Sequence, residues 1–378
     1  MLGIYISMYQ YTVLSISQLF FFDAALMGLL IGVQHFGMSI PPLVLGVLCA
    51  KIGKKKVALL AYLLLILGTT MAGMMNEYIS FIISVFIIGS GFAVLEATLS
   101  AVLADEFPGK STRHLNFSQV AFSVGALVGP VIAKALIQAG VYFKDLYHLC
   151  AVVFLVLGIG FLFTRHQHDR TDIQTSSGKD HYKAFFKNRV IVFLSLSIFL
   201  YVGLENTVAN YADSYFELVL ASPEISATAL SLFWGAMIPS RFLAGVVKID
   251  KNKMFVALSV LICLSVLFAM IIPEKTIKII MFTVCGFGCG PIWPMLMDTV
   301  AQKNAGASGP SMNIMATFSS LGGAVLPFVS GYAVNVSDHA AAYYICAVIA
   351  IVMLWAFSRA VKNGKTRAVE SGKNIGKI

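Results

Sequence analysis

One carboxylate in the sequence is conspicuous because it lies inside a long apolar run. Glu96, in the stretch GFAVLEATLS, is the only acidic residue between Tyr78 and Ala104. A charged side chain in the hydrocarbon core of a membrane costs about 2.5 kcal/mol or more, so a retained acid faces a cavity or a partner. Such a carboxyl can exchange a proton or accept hydrogen bonds from the hydroxyl groups of a solute. The alternative is an acid that only pairs with a neighbouring helix.

Other apolar runs also carry polar or aromatic side chains with suitable chemistry. Amides can hydrogen-bond a polyol, indole rings can stack on a sugar ring, and a histidine can exchange a proton. Each type also has a structural interpretation: an acid near a helix end can reach water, a Trp can belong to the core or an interfacial belt, and a His can simply be packed. The candidates for substrate or proton binding are Glu96, Glu205, Asn206, Asn116, Gln119, His35, Gln34, Trp234, Trp293 and Asn313.

Two further interpretations concern pairing and gating. His35 lies in the same depth range as Glu96 and is a candidate proton partner for it. Arg241 lies near the inner end of its apolar run, which favours a role in anchoring a gate over a role in binding substrate.

The elements that would position these residues are membrane-spanning helices. The composition is 58% hydrophobic and 12% charged, and the apolar residues fall in blocks of about 20, the length that crosses a bilayer as a helix. Twelve such blocks predict an all-α integral membrane protein: Met1–Phe22, Ala25–Ala50, Val57–Met75, Tyr78–Ala104, Asn116–Gln138, Leu146–Thr164, Val190–Tyr211, Ser226–Val247, Met254–Ile272, Lys278–Ala301, Met312–Val334 and Ala341–Ser358.

The distribution of basic residues predicts the orientation. Of the 27 Lys and Arg residues, 22 lie in the C-terminal tail and in loops on the same side of the membrane as the N-terminus, and two (Lys134 and Arg241) lie within helices. The other three, Lys144, Lys275 and Lys278, lie on the far side. The positive-inside rule then places both termini in the cytoplasm of a cell-membrane protein. The net charge of +9 indicates contact with anionic lipid headgroups rather than nucleic acid.

A polar segment after the sixth block divides the chain into two halves. The predicted organisation is an N-terminal half at 1–165, a cytoplasmic linker at 166–188, a C-terminal half at 189–361 and a cytoplasmic tail at 362–378. The halves repeat with a constant offset of 197, which aligns Gly89 with Gly286 and Pro130 with Pro327. Parallel six-helix repeats are typical of transporters, whose substrate site lies near the midplane between the repeats.

The polar residues also predict which helices face that site. Helices 3, 9 and 12 carry no strongly polar side chain in their apolar blocks, and helix 6 carries only His148. Because polar groups avoid lipid, every third helix is expected at the periphery and the other eight around the interior.

The sequence gives little indication of other function classes. Cys285 and Cys289 have no second pair of ligands, so we predict no metal site and no cofactor. The helices contain no arrangement typical of a hydrolase or metalloprotease, which argues against an enzyme. The expected partners are a small polar solute, protons and the bilayer, and we expect a monomer.

The loop between helices 2 and 3 resembles a signature of the major facilitator superfamily. GVLCAKIGKKK at 46–56 is similar to the Gly-x-x-x-Asp-Arg-x-Gly-Arg-Lys loop of that superfamily, with Ala50 at the position of the Asp. The resemblance implies the major facilitator fold and a gating role for Gly46, Lys51, Gly53 and Lys54.

Within the superfamily the chain most resembles the fucose–proton symporter family. The resemblance rests on LEATLS, RHLNFSQVAFSVGALVGP, FLYVGLEN, FWGAMIPSRFLAG, GFGCGPIWP and LGGAVLP. It implies uptake of a sugar or similar polar metabolite with proton symport, although this chain has no acid before Asp23 in helix 1. The alternative is proton-coupled efflux, because GALVGP on helix 5 also resembles part of an antiporter motif.

Overall fold

The computed structural model is a bundle of α-helices that run antiparallel to their neighbours in sequence. It describes the backbone of residues 1–41, 44, 48, 51–106, 111–164, 187–247, 249–303 and 308–375, with side chains except at 101, 104–106, 111–116, 301–303, 308–313 and 364–375. The helices are α1 Leu2–Leu19, α2 Ala24–Ser39, α3 Lys54–Met74, α4 Tyr78–Glu106, α5 Ser111–Gln138, α6 Asp145–Leu162, α7 Arg189–Ser214, α8 Pro223–Val246, α9 Lys251–Ile271, α10 in two segments, Lys275–Cys289 and Ile292–Lys303, α11 Ser308–Val336 and α12 Ala340–Ile375.

The twelve helices match the twelve predicted blocks and confirm the predicted fold class. In the described part of the chain, ten of them are long and apolar enough to cross a membrane. The other two are α1 and α2. Helix α1 carries more polar residues, and α2 is described without interruption only as far as Ser39, although residues 41, 44, 48, 51 and 52 are also helical. The protein is therefore a multi-pass membrane protein.

Contacts between helix ends define two faces of the bundle. Lys55 at the start of α3 donates hydrogen bonds to the carbonyl oxygens of Leu162 and Thr164 at the end of α6, each at 2.7 Å. At the other end, Lys144 before α6 donates to the Met75 carbonyl at 2.6 Å. Odd-numbered helices thus begin at one face, called here the termini face, and even-numbered helices begin at the opposite face.

The predicted gating loop is partly described. Gly53 has a φ of 88° and precedes the first residue of α3; a residue with a Cβ would be strained at that angle. Lys51 is exposed and Lys54 is buried. The lysine beside them, Lys55, places its cation at the C-terminus of α6, where the helix dipole favours positive charge. Gly46 lies outside the described residues.

The predicted internal repeat recurs as a repeat of helix packing. Gly91 on α4 packs against Ala61 of α3, and Gly288 on α10 packs against Leu258 of α9, both through the carbonyl oxygen of the partner. The two pairs are related by the offset of 197. Small residues allow this close approach of helices, so the same sequence positions make the same contacts in the two six-helix halves.

Contacts between the halves involve a subset of the helices. The most extensive pair α2 with α11 and α5 with α8, and α1 makes smaller contacts with α7 and α8. Helices α3, α6, α9 and α12 pack within their own halves in these pairings and carry many exposed apolar side chains, including Leu63, Val156, Leu264 and Val348. The arrangement agrees with the prediction that every third helix lies at the periphery.

Several helix boundaries differ from the prediction. α7 was expected to end at Tyr211 but continues to Ser214 and then through a π-helical turn, Tyr215–Val219. α12 continues to Ile375, through most of the segment predicted as a tail. Residues 165–186, which include most of the predicted linker, lie outside the described residues, so the boundaries of the halves stay a prediction.

The largest departure is the interruption of α10 between Cys289 and Ile292. The sequence Gly290-Pro291-Ile292-Trp293-Pro294 explains it. A proline has no backbone N–H and its ring clashes with the preceding turn, so Pro291 and Pro294 each remove one helix hydrogen bond. The carbonyl oxygens of Cys289 and Gly290 at this interruption contribute to the site described next.

Candidate functional site

Arg241 on α8 lies at the centre of a polar cluster that joins the two halves. Its Nε donates a hydrogen bond to the Gly290 carbonyl at 2.9 Å, at the break in α10. Its Nη1 donates to the Gln119 carbonyl at 3.4 Å and to the Ser123 hydroxyl, both on α5. One guanidinium therefore connects α8 and α10 of the second half to α5 of the first half.

The carbonyl of Gly290 is available because of the local sequence. In an uninterrupted helix it would accept a hydrogen bond from the N–H of residue 294, but that residue is Pro294 and has no N–H. A buried carbonyl without a donor is costly. Arg241 supplies the missing donor, so the Gly-Pro-x-x-Pro sequence creates a docking point for the arginine.

Glu96 on α4 lies beside this arginine. Its carboxyl is partly buried, lies beside the Gln119 side chain and is in the electrostatic field of Arg241. Gln119 thus contacts the site twice, through its amide side chain and through its backbone carbonyl. The sequence prediction that Glu96 and Gln119 belong to one site agrees with this geometry.

Glu205 on α7 reaches the same arginine from the second half. Tyr201, one turn earlier, donates its hydroxyl hydrogen to the Glu205 carboxylate at 2.6 Å, and the same hydroxyl lies 3.0 Å from the Cys289 carbonyl at the break in α10. Glu205 also lies in the electrostatic field of Arg241. Arg241 thus acts electrostatically on both candidate carboxyls, and its role in a gate stays a prediction.

The cluster therefore brings two carboxyls, one from each half, into the electrostatic field of a single cation. Chemically, such a group can take up a proton on one carboxyl while the nearby positive charge favours the ionised form of the other. The carboxyls, the Gln119 amide and the Tyr201 hydroxyl can also exchange their mutual hydrogen bonds for those of a hydroxylated solute.

A second contact between the halves involves His35 on α2 and Asn206 on α7. The His35 Nε2 lies 3.0 Å from the Asn206 Oδ1, and the ring packs against Gly323 of α11, where a Cβ would come within 2.6 Å of Nδ1. The structure thus gives the His35 Nε2 a partner other than Glu96, and the predicted pairing of His35 with Glu96 stays a prediction. Gln34 also turns away, toward the Tyr5 hydroxyl at 3.3 Å.

Trp234 on α8 forms a third contact between the halves. Its indole N–H donates to the Gln10 side-chain oxygen on α1 at 2.9 Å, and its ring packs edge-on against Phe122 of α5 with 6.3 Å between the ring centroids. The indole is 5% exposed, so it belongs to the packed interface here. Trp293, in the second segment of α10, is partly buried.

Several residues of the site were not selected from the sequence. Tyr201 is four residues before Glu205, the spacing that places side chains on one helix face, so it could have been found. Ser123 is recognised only from its tertiary contact with Arg241. The Gly290 carbonyl could have been found, because Pro294 lacks the N–H that would bond it in a helix. The side chains of Asn116 and Asn313 lie outside the described part of the structure. Among the side chains that are described, no group of three or more His, Cys, Asp or Glu residues could hold a metal ion.

The comparison with known families decides the class of protein. The model of the Major Facilitator Superfamily matches residues 1–309. The chain belongs to this superfamily. It is therefore a membrane transporter and not an enzyme, and the two six-helix halves found here are the fold of its family.

Individual relatives agree with this assignment. A putative glucose/galactose transporter of Helicobacter pylori strain 26695 is 25% identical over 311 residues, which cover 76% of this chain and 75% of that protein. An uncharacterised transporter of the superfamily from Yersinia pestis is 23% identical over 346 residues, covering 90% of this chain and 87% of its own.

Solved structures show the same fold. The fucose:proton symporter FucP of E. coli matches with a TM-score of 0.70 and 19% identity, over 96% of this chain and 95% of that chain. The nucleoside transporter NupG matches with a TM-score of 0.72 and 16% identity, over 95% and 97% of the two chains.

Proposed function

We propose that this transporter moves a small polar solute, a sugar, across the cell membrane together with a proton by alternating access. The observation that carries the proposal is the pair of carboxyls, Glu96 and Glu205, in the electrostatic field of Arg241 where the two halves meet. A proton taken up by one carboxyl changes the charge balance at the contact between the halves. Proton binding and the relative position of the halves are thereby linked.

The choice of a sugar rests on the chemistry of the cluster and on the relatives. Carboxylates, an amide and a phenol are groups that hydrogen-bond a polyol without requiring a charge on it. The Helicobacter relative is named as a putative glucose/galactose transporter, and FucP as a fucose:proton symporter. Asn116, Gln119, Asn206 and Asn313 are the amides that we propose as further ligands.

Alternating access is supported by contacts between the halves at the face opposite the termini face. Tyr211 on α7 donates to the Ala24 carbonyl at the start of α2 or to the Pro327 carbonyl on α11, at 3.1 and 2.9 Å. The Ala24 N–H in turn donates to the Asn335 side chain of α11 at 2.9 Å. These bonds join the halves at that face and would have to break for it to open.

A decisive test is transport into liposomes that contain only the purified full-length protein. We expect fucose, galactose or glucose to accumulate when the lumen is made more alkaline than the medium, and a protonophore to abolish the accumulation. Liposomes without protein are the control. If none of these sugars enters, the sugar assignment fails, and uptake that is indifferent to the pH gradient would indicate a uniporter.

Export is the second candidate. It is favoured by the GALVGP segment, where Gly125 and Gly129 of α5 pack closely on Ile4 of α1, since this segment resembles part of an antiporter motif. The same liposomes distinguish the two directions. An exporter in inside-out orientation would use an acidic lumen to accumulate the solute, with a proton leaving the lumen as the solute enters it.

Both termini are proposed to be cytoplasmic, with the Lys- and Arg-rich loops next to anionic lipid, in a protein that works as a monomer. Reporter fusions after Arg165 and after Lys377 should therefore report the cytoplasm, and a fusion after Val336 should report the outside. An outside location for the fusion at Arg165 would contradict the six-plus-six topology.

A further inference from the structure

A third carboxylate lies between the halves, closer to the face opposite the termini face. Asp213 is near the end of α7, is only 4% exposed, and its Oδ1 has no hydrogen-bond partner among the described residues. One turn earlier on the same helix face, the side chain of Asn210 is equally buried and its Oδ1 is also without a partner. The Asn210 Nδ2 donates to the Asn206 carbonyl at 2.8 Å, so the unpaired atom is an acceptor.

The surroundings of Asp213 come from both halves. Ser226 of α8 lies beside both Asp213 and Tyr11 of α1, and its hydroxyl donates to the Pro223 carbonyl of its own helix at 3.1 Å. The charged groups that act on Asp213 are Glu217, in the π-helical turn, and more weakly Lys134 of α5. The ammonium group of Lys134 is bonded to the Glu224 carbonyl at the start of α8.

Among the residues that the structure describes, no cation is bonded to the buried carboxylate of Asp213. Such a group is strongly unfavourable unless it is neutralised or paired. The acid Glu217 increases the negative charge around it, and Lys134 compensates only in part. A carboxylate, an amide oxygen and a hydroxyl are the oxygen donors that hard cations prefer.

We propose that Asp213, with the Asn210 amide oxygen and the Ser226 hydroxyl, binds one small monovalent cation, a proton or Na⁺, and that this binding allows the halves to close at the opposite face. When the halves part there, Tyr11 and Lys134 move away with the first half and water reaches the carboxylate. When they close, the bound cation replaces that water. The role in closure rests on the proposed transport function; the binding site does not.

The site is distinct from the cluster around Arg241. Asp213 is eight residues, or about two turns, beyond Glu205 along α7, and Arg241 is not among the groups that act on it. Loss of one site therefore should leave cation binding at the other, which separates the two experimentally.

The test is the thermal unfolding midpoint of the purified full-length protein, measured without sugar. Two series are compared: replacement of choline by Na⁺ at fixed pH and ionic strength, and acidification in choline alone. We expect one series to raise the midpoint of the wild type by several degrees, because a ligand that binds only the folded state stabilises it. Asp213→Asn, which mimics the neutralised side chain, should lose that response.

The comparison variants define what would overturn the proposal. Glu77→Gln removes an exposed acid between α3 and α4 and should respond like the wild type. Ser226→Ala, which keeps Asp213 in place, should need more cation for the same shift. A wild type that responds to neither series, or an Asp213→Asn variant that responds like the wild type, overturns the proposal. Absence of sugar uptake with the response intact would instead contradict the proposed substrate.

Discussion

Replacement of Arg241 by Met is expected to reduce transport by roughly 100-fold while leaving the protein in the membrane. The substitution keeps a long side chain but removes the donors to the Gly290 carbonyl, the Gln119 carbonyl and the Ser123 hydroxyl. It also removes the positive charge that acts on Glu96 and Glu205. A hydrogen bond from a charged donor contributes about 1.5–3 kcal/mol, and about 2.7 kcal/mol corresponds to a factor of 100.

Two variants show whether geometry or charge alone matters. Arg241→Lys keeps the charge but lacks the planar set of donors that reaches α5 and α10 together, so transport should be intermediate. Arg359→Met removes an arginine that lies over the Trp355 ring on peripheral α12 and should transport normally. The measurement is initial uptake per transporter, after quantifying the protein in the membrane. An Arg241→Met variant that transports like the wild type would remove Arg241 from the mechanism.

Most of the fold could be predicted from the sequence because it depends on patterns that are local or repeated. The number of spanning helices follows from the length of the apolar runs, which the bilayer thickness fixes. The repeat follows from small residues at a constant offset, such as Gly91 and Gly288, because close helix contacts tolerate little else. Neither inference requires knowing how distant residues meet.

Helix ends were harder to predict because hydropathy does not determine them. The apolar run predicts that α7 ends at Tyr211, yet the helix continues through Asp213 and a π-helical turn. The buried carboxylate of Asp213 therefore lies outside the predicted span. The break in α10 was likewise hidden in an apolar run, although Pro291 and Pro294 mark it in the sequence.

The polar residues of the site could be selected from the sequence, but their partners could not. The cost of polarity in a membrane selects Glu96, Gln119 and Glu205 individually. Which of them meet depends on the rotation and tilt of helices from different halves. His35 illustrates the limit: its depth suggested Glu96, whereas helix packing places it against Asn206 and Gly323.

Replacement of Glu96 by Gln is expected to abolish accumulation of the solute against a gradient while leaving exchange of solute across the membrane. Glutamine keeps the size of the side chain and can still hydrogen-bond Gln119, so solute binding should persist. It cannot release a proton, so the proton gradient no longer drives net uptake. The pH dependence of solute binding should disappear as well, because proton and solute are linked through one group.

Matched variants separate coupling from binding. Gln119→Ala removes the side-chain partner of Glu96 and should raise KM, with a loss of about 1–2 kcal/mol for one hydrogen bond. Ser259→Ala, in peripheral α9 where the hydroxyl bonds only to the Phe255 carbonyl of its own helix, should change neither quantity. Glu205→Gln should weaken solute affinity more than it weakens coupling. The amide oxygen can still accept the Tyr201 hydroxyl hydrogen, so the local geometry should be kept. If Glu96→Gln accumulates solute to the wild-type level with the wild-type pH profile, Glu96 does not carry the coupled proton, and Glu205 and Asp213 become the groups to test.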